Sequence, residues 1–216
     1  MERRAYEFGD EIHRNYTNLR RIRAIRDIPR HGVKAGDDGG FISSYRNLAG
    51  NAWVDRDAFI TGDALVTGDA FVGGRSEING KAVIRDQAVV TDCVLEGGVI
   101  VEGEARLDDV TDLGISVFSG DADVRGSHHY LSTRAYRHGP VTVHRTRTGH
   151  LLTVRGVWSG QAGELDKAMR ILGLHNGLDD WTERAIKSET HAIVAGAVAA
   201  MAEWEANRNT TEGNTP

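Results

Sequence analysis

The chain has 216 residues, a length that suits one large domain or a core with two small attachments. Of these residues 40% are apolar and 26% are charged, which is typical of a folded protein. No stretch of about 18 or more apolar residues occurs, so the sequence predicts no membrane-spanning helix, and its first residues lack the apolar core of a secretory signal. The single cysteine, Cys93, excludes an internal disulfide bond and a thiolate metal cage.

The net charge of −5 is unevenly distributed along the chain. Residues 1–30 carry a net charge of +3, whereas residues 37–126 hold 17 acidic side chains against 7 basic ones. An acidic central segment disfavours contact with phosphate backbones, so nucleic acid is not expected as a partner. The eight arginines of the first segment are more typical of a solvated or self-paired surface than of a nucleic-acid site.

The N-terminal segment, residues 1–36, is predicted to form a β cap. Two β-type runs, around residues 5–8 and 19–25, predict two short strands. A repeat structure follows this segment, and the terminal repeats of such structures expose unpaired strand edges that need a cover.

A six-residue repeat fills residues 37–126. Small residues recur every six positions from Ala52 to Ala88, and an aliphatic residue stands two positions after each of them. Gly-Asp or Gly-Asn precedes many of the alanines, as in the segment from Gly62 to Ala64. A period of six fits neither a helix nor a plain hairpin sheet, whereas two inward residues separated by one outward residue are typical of a strand. The Gly-Asp pairs predict turns, because these residues tolerate positive φ.

Fifteen such hexads would make five triangular coils of three short strands each. The step shortens to five residues twice, first between Val90 and Leu95 and again, in this interpretation, between Leu113 and Phe118. The small position is then occupied by Thr111 before Leu113. Five stacked coils predict a prism about 24 Å tall. The pattern therefore predicts a mainly β protein built around a parallel β-solenoid.

Residues 127–207 are predicted to form a C-terminal ββαα unit, followed by a flexible tail over residues 208–216. Two β runs, 141–145 and 151–157, flank a turn and predict a hairpin. Helices are predicted over residues 162–172 and 179–207. In the second helix one stripe of apolar and small residues is interpreted as core packing rather than as a cofactor site. Its members are Trp181, Ala185, Ala192, Ile193, Gly196, Ala200 and Trp204.

Four segments carry a resemblance to the hexapeptide-repeat superfamily of left-handed parallel β-helices. They are residues 19–27 (LRRIRAIRD), 33–37 (VKAGD), 39–42 (GGFI) and 51–54 (NAWV). In these segments the chain resembles a hexapeptide-repeat group that is common in phages and prophages and related to enterobacterial YdcK. The resemblance implies a left-handed β-helix that often associates as a trimer. It also implies a cytoplasmic location, in the host cytoplasm or in the virion if a phage encodes the chain.

Many proteins of this superfamily are acyltransferases and others are zinc enzymes, and both kinds use histidines on or between coils. None of the nine histidines of this chain lies in residues 32–127. The best catalytic candidates are therefore His128 and His129, where the repeat ends, although a polar turn is the simpler interpretation. His138, His144 and His150 form a second group, in which His144 and His150 could face each other across the hairpin. Spacing alone does not indicate a metal site, and we expect neither a metal nor a cofactor.

The remaining polar candidates are predicted to be structural. Asp63, Asp69 and Asp121 follow glycines in predicted turns, where their side chains can bond to nearby backbone. No glycine-rich phosphate loop is present. Cys93 falls on an inward small position and is predicted to be an inert core thiol.

The residue just before each inward aliphatic residue is predicted to point outward, which creates three vertical columns. The first column is Asn47, Leu65, Val83, Ile100 and Val117; the second is Trp53, Phe71, Val89, Arg106 and Asp123; the third is Phe41, Phe59, Glu77, Val94 and Asp112. Only the first column stays apolar over four coils, and contiguous apolar surface usually meets a partner. We therefore predict that Leu65, Val83, Ile100 and Val117 are covered by another protomer, with a trimer favoured, or by the C-terminal helices.

Three functional hypotheses follow from these features. A non-catalytic assembly or binding module of phage or prophage type is favoured. The alternatives are an acyltransferase-like enzyme with a site between subunits near His128 or His129, and an oligomer that binds a small ligand in clefts between protomers. Acetylation that depends on acetyl-CoA would distinguish the enzyme from the other two.

Overall fold

The computed structural model describes residues 4–135, 139–154 and 158–161, together with residues 192, 195, 196, 199, 202, 203 and 206. Contacts divide the chain into two units, residues 1–127 and residues 128–216. The first unit is a parallel β-solenoid of about five coils, as the repeat predicts. In the part of the chain that the structure describes, no helix is both long enough and apolar enough to cross a membrane.

Three sheets form the faces of the solenoid, and their parallel strands alternate along the chain. The first face contains the antiparallel strands β1 (Tyr6–Ile12) and β2 (Arg20–Ala24), followed by β3 (Asp38–Ile42), β5 (Phe59–Ile60), β8 (Glu77–Ile78), β11 (Val94–Leu95) and β14 (Thr111–Asp112). The second face contains β4 (Trp53–Val54), β7 (Phe71–Gly73), β10 (Val89–Thr91), β13 (Arg106–Asp108) and β16 (Asp123–Arg125). The third face contains β6 (Leu65–Val66), β9 (Val83–Ile84), β12 (Ile100–Val101) and β15 (Val117–Phe118).

The interior is built from the two inward residues of each hexad. On the first face Ile60 pairs with Ile78, and Ile78 pairs with Leu95, so that like side chains stack directly above one another. These aliphatic residues and the small corner residues such as Ala58 and Ala64 are almost completely buried. Burial of each aliphatic side chain contributes about 1.5–3 kcal/mol relative to exposure, so the stack is the main stabilising feature of this unit.

The corners between the third and second faces are turned by residues in the left-handed region. Gly50, Gly68, Gly103 and Gly120 occupy this column with φ between 63° and 72°. Successive coils approach closely here, because a Cβ on Gly50 would lie 2.9 Å from the carbonyl oxygen of Gly68. Asp86 replaces glycine in the same column at φ 62°, and its carboxylate accepts a hydrogen bond from the Gly103 amide at 3.0 Å.

The predicted register of the thirteenth hexad, on β14, is wrong by one residue. Asp112 occupies the inward position above Leu95, and it is 6% exposed, whereas the predicted inward residue Leu113 is 62% exposed. The Asp112 carboxylate accepts hydrogen bonds from the Gly114 amide at 2.8 Å and from the Ser116 hydroxyl. These partners allow a carboxylate to be buried where hydropathy alone favours the neighbouring leucine.

This correction moves the second five-residue step to lie between Leu107 and Asp112. Both short steps therefore fall at the same corner, where the chain passes from the second face to the first. Val110 fills the small position of the hexad and is fully buried. The residue predicted for that position, Thr111, is exposed and replaces Asp112 in the outward column of the first face.

Asn47 is also placed differently from the prediction, because it is fully buried rather than outward. Its Nδ2 donates to the carbonyl oxygens of Gly62 at 3.0 Å and Ala64 at 2.8 Å. Its Oδ1 accepts hydrogen bonds from the Ser44 amide at 2.8 Å and the Ser43 hydroxyl at 2.9 Å. The side chain thus satisfies backbone groups near the start of the third face, which a sequence pattern cannot show.

The N-terminal cap contains the two predicted strands, β1 and β2, which form an antiparallel pair that continues into β3. Arg21 fixes this cap to the first coil. Its guanidinium lies 4.3 Å from the centroid of the Phe41 ring and donates to the Gly39 carbonyl oxygen at 2.6 Å. The same group forms an ion pair with Glu11 at 2.6 Å.

The rest of the cap contacts the second face through a 3-10 helix, Pro29–His31. Arg30 donates to the side-chain oxygen of Gln87 at 2.6 Å, and the His31 ring lies 5.6 Å from the Phe71 ring. The aromatic residue that begins this column, Trp53, is 2% exposed.

The second unit contains an antiparallel four-stranded sheet in the order β17 (Tyr130–Ala135), β18 (Gly139–Arg145), β19 (His150–Val154) and β20 (Trp158–Gln161). The central pair is the predicted hairpin, which is closed by a hydrogen bond from the Thr146 amide to the Gly149 carbonyl oxygen at 2.8 Å. Strands β17 and β20 extend the predicted pair on either side, so the sheet is a four-stranded meander rather than a two-stranded hairpin.

The predicted helices are described only in part. The first, over residues 162–172, lies outside the described residues. Within the second, residues 192, 195, 196, 199, 202, 203 and 206 are helical, and all seven are exposed. Ala192 and Gly196 were both assigned to a core stripe, and that part of the prediction is wrong.

A substitution at a prism corner tests the register of the repeat. Ala64 is 1% exposed, so Ala64→Leu should overpack the corner and lower the free energy of unfolding by about 1–3 kcal/mol. The matched control is Asp63→Asn next to it, which should be nearly neutral because asparagine suits the same turn. Urea unfolding of both variants measures the difference, and a leucine variant as stable as the wild type would contradict the register.

The contact of His31 with the second face predicts a dependence of stability on pH. Its Nε2 is buried without a hydrogen-bond partner among the described residues. Burial, followed by the charge of Arg30, lowers the pKa of His31 below its usual value, while the Asp69 carboxylate and a backbone hydrogen bond with Asn51 oppose the shift. The unfolded chain therefore binds a proton more readily, and stability should fall as the pH drops below about 6.5.

The measurement is the melting temperature at about pH 7.5 and about pH 5.5 for the wild type and for His31→Gln. We expect the wild type to lose more stability than the variant on acidification, because the glutamine cannot take up the proton. Equal losses would show that His31 does not contribute to the pH dependence.

Candidate functional site

The outer side of the third face carries an apolar column formed by Leu65, Val83, Ile100 and Val117. Leu65 pairs with Val83, Val83 with Ile100, and Ile100 with Val117. The four residues therefore repeat at the strand spacing of about 4.8 Å along the solenoid. We call Leu65, Val83 and Ile100 the apolar ladder, because these three remain half-buried in the chain, whereas Val117 is 4% exposed.

Charged residues of both signs flank the apolar ladder. Asp63 and Lys81 precede it on successive coils and are exposed. Arg85 and Glu102 follow it and form an ion pair across adjacent coils, in which the hydrogen bond to Glu102 and then its negative charge raise the pKa of Arg85. Because acidic and basic side chains both flank the ladder, this surface can pair its charges with those of an identical surface, and it does not attract anionic surfaces more strongly than cationic ones.

The outward columns of the other two faces begin with apolar residues, Phe41 and Phe59 on the first face and Trp53, Phe71 and Val89 on the second. Phe41 and Trp53 are buried, and the cap residues Arg21 and His31 contact Phe41 and Phe71. Higher along the solenoid the columns become polar, at Glu77 on the first face and at Arg106 on the second, and both of these residues are exposed. Among the three described faces, only the third has an outward column that stays apolar from Leu65 to its last strand.

The histidine candidates at the end of the repeat lie in a short 3-10 helix, Ser127–His129, immediately after β16. The His129 side chain is half-buried, and the side chain of His128 lies outside what the structure describes. Within the described residues, no group of three His, Cys, Asp or Glu side chains is close enough to hold a metal ion.

The structure separates the second pair of histidines. His144 pairs with Leu151, whereas His150 pairs with Arg145. Because successive side chains of a strand point to opposite faces of a sheet, His144 and His150 lie on opposite faces and do not face each other. His144 is fully buried, with Nδ1 3.2 Å from the Arg145 carbonyl oxygen. His138 lies outside the described residues.

Cys93 occupies the inward small position, as predicted. Its thiol donates to the Thr91 carbonyl oxygen at 3.0 Å, and its sulfur accepts a hydrogen bond from the Val110 amide at 3.4 Å. Burial raises the pKa of Cys93 to about 12. The thiol is therefore protonated at neutral pH and is not an effective nucleophile.

The turn acids bond to neighbouring turns. Asp69 accepts a hydrogen bond from Asn51 of the preceding coil at 3.0 Å. Asp92, in the left-handed region at φ 50°, accepts one from the Arg75 amide at 2.9 Å. Such contacts link consecutive coils and indicate a structural role for these carboxylates.

The sequence analysis missed a groove on the first face. The cap loop between β1 and β2 forms one wall, and outward residues of three successive coils form the floor. The lining residues are Tyr16, Asn18, Leu19, Phe59, Thr61, Glu77, Asn79, Val94, Leu95 and Glu96. The hexad pattern places the outward floor residues in columns, but no pattern in the sequence brings the distant loop against them.

Comparison of the chain with models of protein families, with curated proteins and with solved structures finds no match.

The burial of Cys93 predicts slow chemical modification in the folded protein. A disulfide reagent such as DTNB should label native protein far more slowly than protein unfolded in guanidinium chloride, because both access and thiolate formation are suppressed. Cys93→Ala provides the control that no other thiol contributes. Equally rapid labelling of native and unfolded protein would contradict the assignment of an inert core thiol.

Proposed function

We propose that the protein is a non-catalytic assembly or binding module whose solenoids associate side by side through the third face. The apolar ladder of Leu65, Val83 and Ile100 carries this proposal. Its residues form one in-register column on a regular sheet, and a contiguous apolar surface of this kind usually meets a partner.

A second copy of the chain is the partner that best fits this face. The ladder repeats at the strand spacing, so an identical ladder can pack against its neighbour along the whole length of the column. The charges that flank it have both signs, with Lys81 and Arg85 beside Asp63 and Glu102. Copies can therefore meet without like-charge repulsion dominating the contact.

We favour a trimer as the assembled form. Closed symmetric oligomers are the usual products of self-association, and a three-sided rod can present one side to a common axis. The resemblance to phage and prophage hexapeptide-repeat proteins also supports a trimer and a role as a rigid element of an assembly.

A non-catalytic role agrees with the chemistry of the repeat. The coils contain no histidine, and the Cys93 thiol is buried with a pKa raised to about 12. His128 and His129 lie in the 3-10 helix that follows the last strand of the solenoid. The alternative is an acyltransferase-like enzyme. The proposal would be overturned if the protein acetylated amine substrates with acetyl-CoA and if His128→Ala or His129→Ala abolished this activity.

Light scattering after size exclusion tests the association directly. We expect wild-type protein to have a mass close to three times the 23.6 kDa of one chain. The double variant Val83→Asp, Ile100→Asp should be a folded monomer with little change in melting temperature, because its new charges lie on the outside of the coils. A wild-type monomer at micromolar concentration would contradict the proposal.

Val89→Asp is the matched control for the single variant Val83→Asp. Val89 occupies the equivalent outward position on the next strand of the same coil and is also half-buried, but it lies on the second face. We expect Val83→Asp to weaken the oligomer and Val89→Asp to leave it unchanged. An oligomer that survives in the double variant, or that both single variants weaken equally, would show that the third face is not the interface.

A further inference from the structure

We propose that the groove of the first face is a binding site for a small aliphatic diamine of the polyamine class. This site goes beyond the proposed assembly, because it lies on a different face from the apolar ladder and uses different residues.

The groove has an apolar floor and an aromatic wall. Phe59 and Val94 lie on the floor, on either side of Glu77 in one ladder of paired residues. Tyr16 and Asn18 of the cap loop form the wall, and the groove has a volume of about 360 Å³. This volume suits a small organic molecule rather than a folded partner.

Aromatic rings make the wall attractive to a cation. The Tyr16 ring centroid lies 5.5 Å from that of Phe59 and 5.2 Å from that of His13. Tyr16 is 47% exposed, so its ring is accessible from solvent. An ammonium group beside such a ring is attracted to the π face, and methylene groups can pack on the same surface.

Two carboxylates supply the charge that a diamine would neutralise. Glu77 and Glu96 are both exposed, and neither has a hydrogen-bond or ion-pair partner within the described part of the chain. Among the described residues that line the groove, none is lysine or arginine. The local charge is therefore negative, as it is for the whole repeat, and it favours cations over phosphates or carboxylates.

The spacing of the two carboxylates selects two ammonium groups rather than one. Glu77 pairs with Val94 on the adjacent strand, and Glu96 lies two positions after Val94 in the chain. A strand spacing of about 4.8 Å and a rise of about 3.3 Å per residue place the two side-chain origins about 8 Å apart. A diamine with a chain of about four methylene groups can bridge them while its methylenes contact Val94.

The ligands for the test are putrescine and butylamine, which share a four-carbon chain but differ in the number of ammonium groups. Isothermal titration calorimetry at low salt should detect saturable binding of putrescine that is several-fold tighter than that of butylamine, and added salt should weaken it. Failure to detect saturable putrescine binding up to about 10 mM, or equal affinity for both amines, would overturn the proposal.

Variants then assign the binding to the groove. Glu77→Gln and Glu96→Gln should each weaken putrescine binding about three- to fivefold, and the double variant should bind it no better than butylamine. Tyr16→Ala should weaken both amines about two- to fivefold. The control Asp57→Asn removes the same charge from an exposed turn outside the groove and should leave the affinity unchanged.

Two further readouts separate this proposal from the assembly. The glutamine variants should keep the wild-type oligomeric state and melting temperature, since both carboxylates are exposed and unpaired in the described residues. The double variant of the apolar ladder should still bind putrescine. Loss of affinity in Asp57→Asn equal to that in Glu77→Gln would indicate a general effect of net charge and would exclude a specific site.

Discussion

The stacking of like residues in adjacent coils is the constraint on which this structure depends. Each hexad must supply one small and one aliphatic inward residue, because each inward side chain packs on its counterpart one coil above. A residue that departs from the pattern needs compensation, as the hydrogen bonds of Asp112 and Asn47 illustrate. The same stacking requires backbones to approach closely at the corners, and therefore left-handed glycine or aspartate in the turns.

Because the inward positions are committed to packing, chemical variety is left to the outward positions. These positions form straight columns, so a difference of a few residues changes a whole face. On the third face the column is apolar and flanked by both charges, which suits contact with another copy of the chain. On the first face the acidic residue Glu77 interrupts the apolar column between Phe59 and Val94, which suits a small cation. One repeat can thus present two surfaces of different chemistry.

The N-terminal cap contributes to both stability and surface chemistry. Strand β2 pairs with β3, so the first face does not begin with an open sheet edge, and Arg21 joins the cap to the first coil by a contact with Phe41 and hydrogen bonds to the backbone. The loop between the cap strands places Tyr16 beside Phe59 and converts a flat sheet face into a groove. A structural cover for the first coil therefore also forms part of a candidate site.

The amino-acid sequence by itself determined the solenoid, its number of coils and most of its outward columns, because a period of six, shortened only twice, leaves few sets of residues that can be buried together. It also predicted the cap strands and the C-terminal hairpin from local patterns. Only the tertiary structure decided that Asp112 rather than Leu113 points inward, that Asn47 is buried, and that His144 and His150 lie on opposite faces. These outcomes depend on hydrogen-bond partners and on strand pairing that hydropathy does not encode. The groove belongs to the same class, since its wall and floor come from distant segments that meet only in the folded chain.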